Sequence, residues 1–279
     1  MKQLFDEVSF VCSKNVTKKY STSFSLAVYM LSPKIRAAIY SIYAFVRFAD
    51  EIVDSFHEYD KEALLTEFEE NYYKSFDQNI SLNPILNCFQ HTVKKYDITD
   101  DLIQSFLKSM RADLKKETYE TLEEYNEYIY GSADVVGLMC LKVFVNGDVE
   151  KYESLKNSAM KLGSAFQKVN FLRDLKDDYE LLHRSYFPGV NLKELTFEDK
   201  AVIIEDIESD FKEAFSGIKR LPLEAKFGVY TAYVYYKRLL KKLNNTPSKE
   251  ILNTRIRVSN PMKISLLAKS FVVYKLNLL

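Results

Sequence analysis

The chain has 279 residues, 47% hydrophobic and 28% charged, which is enough for one large core. Lys+Arg and Asp+Glu balance at 39 each, so no net field recruits nucleic acid. The three cysteines, Cys12, Cys88 and Cys140, form no Cys-x-x-Cys pair, which argues for a reducing compartment and against a zinc site.

Asp6 and Glu7 stand where a signal peptide needs an apolar run. No uninterrupted apolar stretch approaches the ~20 residues of a membrane span. The expected location is the cytoplasm, with peripheral contact at the inner face of the membrane left open. Residues 3–20 read as a helix with apolar spacing at Leu4, Val8, Val11 and Cys12. Ser21-Thr-Ser23 interrupts it, and Ser32-Pro33 starts the next helix with a capping residue and a proline in the first turn. Residues 60–77 form a charged amphipathic helix, Ser81-Leu-Asn-Pro84 opens another, and Ile98-Thr-Asp-Asp101 caps a fifth. Residues 121–145 read as one long helix. Its small residues Gly131, Ser132, Ala133 and Gly137 suit either close backbone packing or a functional surface. A helix from about 150 to 182 follows, then a loop over 183–189. Helices around 198–217, 222–243 and 260–276 are separated by Pro222, Pro247 and Pro261. No strand alternation of useful length occurs, and 7 Gly with 6 Pro are too few for a β-rich chain. The reading is one all-α domain over 1–279, of roughly ten helices.

Two of these helices carry polar stripes that a surface helix does not need. At 100° per residue, Gly163, Gln167, Asn170, Asp174 and Asp178 share one narrow stripe. Lys161, Lys168 and Lys176 gather on another side, read as the wet one. The carboxylate-and-amide face is then a polar seam to another helix or a site wall. On the helix after Pro33, Arg36, Tyr43, Arg47, Asp50 and Asp54 share a stripe, and most of the remaining circumference is apolar. A buried stripe of carboxylates and guanidiniums is costly unless paired or metal-bound.

The Asp-x-x-x-Asp spacing alone decides little, because it also occurs at Asp97/Asp101 and Asp206/Asp210. Asp97/Asp101 straddles a helix start, where acids favour the dipole. Asp206/Asp210 lies opposite the apolar stripe Ile204, Ile207, Phe211 and Phe215, so it reads as a solvated face. Asp50/Asp54 and Asp174/Asp178 differ, each sharing its stripe with Arg, Asn, Gln or Tyr. They are either structural partners of Arg36, Arg47 and Arg173, or ligands of a hard divalent cation. Nearby arginines suit diphosphate oxygens through planar donors. The combination suggests Mg²⁺-assisted departure of a diphosphate.

Asp50-Glu-Ile-Val-Asp54 and Asn170-Phe-Leu-Arg-Asp-Leu-Lys-Asp-Asp178 resemble the two aspartate motifs of the squalene/phytoene synthase family. Tyr20-Ser-Thr-Ser-Phe24, Ile42-Tyr-Ala-Phe-Val-Arg47, Tyr130 to Gly137, Gln167 and Arg184-Ser-Tyr-Phe-Pro188 resemble its other motifs, in order. The likeness covers nearly the whole chain and is nearest to bacterial phytoene synthases. It implies a single-domain isoprenoid-synthase fold with helices around a central apolar cavity. It implies two prenyl diphosphates joined head to head through a cyclopropylcarbinyl diphosphate, giving phytoene from geranylgeranyl diphosphate in carotenoid biosynthesis. The alternative is squalene or dehydrosqualene from farnesyl diphosphate. The implied catalytic residues are Asp50, Asp54, Asp174, Asp178, Tyr130 and Arg47. Ser21, Ser23, Phe24, Tyr43, Arg47, Gln167, Asn170, Arg173, Arg184 and Tyr186 would hold substrate. Asp50, Asp54, Asn170, Asp174 and Asp178 would hold Mg²⁺, with Mn²⁺ as a substitute. No nicotinamide cofactor, nucleic acid or obligate protein partner is expected, and peripheral membrane contact would serve product release.

Two positions depart from the family pattern: Asp134 stands where Gly is usual, and Thr22 where some relatives carry a basic residue. Two remote rivals remain. A di-iron carboxylate bundle needs Glu-x-x-His on two helices, which Glu180-Leu-Leu-His183 fits once and Asp54-Ser-Phe-His57 only loosely. A non-catalytic helical scaffold leaves the buried stripe of Arg47, Asp50 and Asp54 without a reason. On an ideal helix Arg173 points away from Asp174.

Overall fold

The computed structural model describes residues 1–181, 184–190 and 195–276. Among these the regular secondary structure is all helical, apart from an isolated bridge between Thr118 and Ser185. The helices are α1 (Lys2–Tyr20), α2 (Thr22–Tyr29), α3 (Pro33–Ser55), α4 (Lys61–Gln78), α5 (Pro84–Tyr96), α6 (Asp100–Asp113) and α7 (Leu122–Ile129). A π-turn (Tyr130–Asp134) leads into α8 (Val135–Val145) and α9 (Val149–Leu181). Then come α10 (Phe197–Arg220), α11 (Leu223–Asn245), the single turn α12 (Ser248–Ile251) and α13 (Asn260–Lys275).

The start signals work as expected. Ser32 caps α3 by accepting from the Lys34 N–H, with Pro33 at its first position. Thr121 and Glu124 close a capping box on α7. The expected single helix over 121–145 instead carries the π-turn, where the Val135 N–H reaches back to the Tyr130 carbonyl. α6 lies close against this turn: a Cβ on Gly131 would sit 1.9 Å from Ser109 Oγ and 2.7 Å from the Ser105 carbonyl. Gly131 therefore serves close helix packing, while Ser132, Ala133 and Gly137 line a cavity.

Two apolar clusters build the core. One gathers α3, α5, α6 and α8 around Phe45, which stacks on Phe89 at 3.8 Å. The other gathers α7, α9, α10 and α11 around Phe171 and Phe211. Leu122–Val145, the run from α7 through α8, is long and apolar enough to cross a membrane by length and composition, against the expectation of no such stretch. Some 67% of its most apolar window is buried, so here it is a core element.

Two helix faces differ from their sequence reading. In α1 the expected apolar face is outside: Leu4, Val8 and Val11 are exposed, while Ser9, Ser13 and Thr17 are fully buried. Small hydroxyl residues let α1 lie close against α5 and α3, and their hydroxyls are satisfied locally. Ser9 donates to the Phe5 carbonyl and Thr17 to that of Ser13, both at 2.9 Å. Asp206 is exposed, as expected of a solvated face, but Asp210 is buried, and Lys168 is not on a wet side either. Lys168 Nζ is buried between Asp206 (2.5 Å) and Asp210 (2.7 Å), and Lys161 reaches Asp210 at 2.8 Å. These pairs form a polar seam between α9 and α10.

Candidate active site

A cavity of about 540 Å³ lies among α2, α3, α8, α9, α10 and α11. Much of its wall is apolar, with Val28, Leu31, Ile39, Phe144 and Leu155 among the lining side chains. Its polar lining is where the sequence stripes meet. Asp50, Asp54 and Arg47 come from α3, and Gln167, Asn170, Asp174 and Asp178 from α9. Ser21, Phe24, Tyr43, Arg173, Arg184 and Tyr186 also line it. Ser21 caps α2 by accepting from the Phe24 N–H, which turns the Phe24 ring onto Tyr43 at 4.8 Å.

Ser23 and Tyr130 do not line the cavity. Residues two apart on a helix point in nearly opposite directions. The structure gives the cavity side to Ser21 and Tyr128 instead. Arg36 also stands outside, donating to the Leu31 carbonyl at 2.7 Å and lying over the Tyr29 ring. The departures from the family pattern lie off the cavity lining too. Asp134 accepts from Ser164 at 2.7 Å, and exposed Thr22 accepts from Lys263 at 3.2 Å. His57 is exposed beside Lys61, and His183 of the di-iron alternative lies outside the described residues.

The charges are shared unevenly. Asp174 is held by two guanidiniums: Arg173 folds back onto it through Nε at 2.8 Å, against the ideal-helix expectation, and Arg255 Nε meets it at 2.8 Å. Asp54 accepts from Arg184 Nη1 at 2.8 Å. Asp50 and Asp178 have no hydrogen-bond or ion-pair partner among the described residues. Burial pushes the Asp50 carboxyl up to about 7, with the Asp54 charge adding to it. Burial, then Asp174 and Asp54, push Asp178 up to about 8. Arg47 pairs with Glu51, its neighbour one turn on, and lies 4.5 Å over the Tyr20 ring. Its Nε is buried without a hydrogen-bond partner among the described residues, a donor left for a ligand.

Behind Arg184 stands a buried support that the sequence reading missed. Arg184 is 5% exposed and donates to the Asp113 carbonyl at 3.0 Å, with the Asp113 carboxylate 3.8 Å away. Tyr128 and Tyr119 donate to that carboxylate at 2.6 and 3.2 Å. Burial raises Asp113 to about 6, opposed by the charge of Arg184 and the hydroxyl of Tyr128. Asp113 closes α6. A carboxylate in a last helical turn opposes the helix dipole, and that misplacement was a readable signal. Tyr236 and Arg255 were also missed. Tyr236 donates to Asn170 Oδ1 at 3.3 Å and stacks on Phe166 at 3.9 Å. No motif marks either residue in the sequence.

Among the described residues, no three metal-ligating side chains converge on one point. The aspartates stand as two pairs, near enough for Asp54 to raise Asp178. Two half-buried, unpartnered carboxylates beside two paired ones are an excess of negative charge at one wall. Their oxygen-only chemistry fits hard divalent cations, which retain waters or substrate oxygens among their ligands.

The family model described as squalene/phytoene synthase matches residues 17–261. The chain belongs to the squalene/phytoene synthase family. Its relatives include 15-cis-phytoene synthase of Synechocystis sp., 26% identical over 92% of this chain and 83% of that protein. Phytoene synthase 1 of Solanum lycopersicum is 26% identical over 87% of this chain. The chain spans about 60% of the length of the plant relatives it matches. Among solved structures, a dehydrosqualene synthase in complex with ligand superposes with a TM-score of 0.82 at 23% identity, covering 97% of this chain and 98% of that one. Squalene synthase HpnC from Alicyclobacillus acidocaldarius gives 0.75 at 22% identity, over 85% and 94%. At these identities the structures speak for the fold: this family member has their single-domain isoprenoid-synthase architecture.

Proposed function

We propose that the protein joins two prenyl diphosphates head to head, with geranylgeranyl diphosphate as substrate and phytoene as product. The observation that carries this is the meeting of the unpartnered Asp50 and Asp178 carboxylates with a largely apolar wall in one cavity. An amphiphile with a diphosphate head and an isoprenoid tail matches both parts. Asp50, Asp54, Asn170, Asp174 and Asp178 would hold Mg²⁺, or Mn²⁺ in its place, and the cation would supply charge neutralisation of the departing diphosphate.

The chain's own residues do the rest. Arg47 offers its free Nε to a diphosphate oxygen, and the Tyr20 ring and Glu51 hold its guanidinium in place. Arg184 keeps Asp54 oriented, while Arg173 and Arg255 hold Asp174. Tyr236 fixes the Asn170 amide. Departure of one diphosphate leaves an allyl cation; the double bond of the second chain adds to it, and loss of a proton from the attacking carbon closes the ring of a cyclopropylcarbinyl diphosphate. Departure of that diphosphate, rearrangement of the resulting cation and loss of a second proton give the hydrocarbon. The Phe24–Tyr43 and Phe166–Tyr236 stacks line this wall, where aromatic π-systems suit a passing carbocation, and the apolar lining excludes water that would quench it.

Geranylgeranyl is favoured over farnesyl diphosphate by the phytoene synthase names among the relatives. The test is competition between both diphosphates with Mg²⁺, with and without NADPH, followed by identification of the hydrocarbon. Phytoene formed without reductant is expected. Squalene that requires NADPH, or strong preference for farnesyl diphosphate, would overturn the substrate assignment.

A further inference from the structure

α13 breaks the usual relation between composition and burial. A helix that is apolar all round is ordinarily a buried one. The sequence Asn260-Pro-Met-Lys-Ile-Ser-Leu-Leu-Ala-Lys-Ser-Phe-Val-Val-Tyr-Lys275 is mostly apolar, yet its one buried residue is Ser270. One side packs on α11, where Phe227 stacks on Tyr274 and meets Phe271 edge-on. The other side is open. Ile264, Phe271, Val272 and Leu276 are 65%, 48%, 53% and 62% exposed, with Ala268 exposed between them. Their spacing places them on one continuous stripe.

The charge around the stripe identifies its occupant. From Ile251 to Leu276 there is no Asp or Glu, while Arg255, Arg257, Lys263, Lys269 and Lys275 are all present. Arg255 is engaged with Asp174, which leaves four cations in a chain of zero net charge. Lys269 and Lys275 are exposed, at the edge and the far end of the stripe. Protein interface cores are depleted of lysine, whereas a lipid interface accepts lysines that extend from an apolar stripe toward anionic headgroups. The exposed stripe of α1, Leu4, Val8 and Val11, differs in that Asp6 and Glu7 lie among its lysines, whereas the α13 stripe has no acid near it in sequence.

We infer that the outer face of α13 is a docking surface for an anionic lipid bilayer. Its position fits a lipid-linked role. α11 contributes Gly228, Val229, Ala232 and Tyr236 to the cavity, and α13 lies against the same helix. At its start Lys263 touches Thr22, next to the cavity-lining Ser21. One helix thus separates the apolar cavity from the lipid-facing surface. The binding itself does not depend on the reaction proposed above, so its failure would leave that reading untouched.

The test is sedimentation of the full chain with phosphatidylcholine vesicles, with and without phosphatidylglycerol. The variants are Lys269→Glu/Lys275→Glu and Phe271→Ser/Val272→Ser, with circular dichroism as the folding control. Wild type is expected to bind the phosphatidylglycerol vesicles, and each double variant to bind at least ~10-fold more weakly. The positions are exposed, so helicity should persist. Two results would overturn the inference: equal partition of wild type and both variants, or no vesicle binding together with a dimer that the Phe271→Ser/Val272→Ser variant dissolves. The second would make this face a contact between copies of the chain.

Discussion

Helix α9 carries charge on two sides, and the fold treats them differently. Toward α10, Lys161 and Lys168 meet Asp206 and Asp210 at 2.5 to 2.8 Å, and each buried charge has its counter-charge. Toward the cavity, Asp174 is matched by Arg173 and Arg255, while Asp178 one turn on is left without a partner among the described residues. Both faces consist of ordinary charged residues at helical spacing. What separates structure from site is the balance of charge. A closed ion network completes the fold, and an open one is complete only with a ligand.

The comparison is broken most severely by exchanging the two roles. Asp178→Asn and Asp50→Asn should each lower turnover at least ~100-fold by weakening charge stabilisation on the leaving diphosphate. Asp174→Asn should do the same. For Asp50 and Asp178 the melting temperature should hold or rise, because each loses a raised, unpaired carboxyl. Lys168→Met should act in reverse. It leaves buried Asp210 with the half-exposed Lys161 alone and costs about 1–3 kcal/mol of stability, while the folded fraction keeps most of its turnover. Steady-state rates and denaturant melts of both sets check this. A Lys168 variant as stable as wild type would erase the distinction.

A smaller effect is expected behind the wall. Asp113→Asn keeps the shape that Tyr128 and Tyr119 donate to but removes the charge beside Arg184. It should raise the divalent cation concentration for half-maximal turnover by about 10-fold. A purely structural role for Asp113 would lower stability and leave that concentration unchanged.

The smallest effect is on pH dependence. Asp50 and Asp178 have folded pKa values raised from 3.8 to about 7 and about 8. Their contribution to stability is full below the unfolded value and is lost as pH rises through about 7 to about 8. Without added divalent cation, the melting temperature should fall across that window. Asp178→Asn should flatten the fall, as scanning calorimetry would show.

Much of this was legible in the sequence because helix starts carry their own chemistry. Ser32-Pro33 announces α3, and the two Asp-x-x-x-Asp stripes announce the wall they form. The α1 face was misread because its buried side is Ser9, Ser13 and Thr17, whose hydroxyls are satisfied by carbonyls one turn back. Hydropathy scores such residues as wet. Asp210 was misread because α10 packs against both α9 and α11, so part of its polar side is covered, while Asp206 stays exposed. Tyr130 rests on motif position alone, and only the packing around Asp113 shows that Tyr128 is the ring that faces inward. Arg255 and Tyr236 reach the site from distant segments, a pairing that no local pattern encodes.

The central claim is that Asp50 and Asp178 are an open charge site awaiting a divalent cation. Isothermal titration of the protein with Mn²⁺ and diphosphate near neutral pH, in buffers of different ionisation heat, measures this directly. The account predicts binding with net proton release, because carboxyls raised to about 7 and about 8 must ionise to serve as ligands. Both binding and release should be lost in Asp50→Asn/Asp178→Asn. Binding without proton release that is equally tight in the double variant would contradict it.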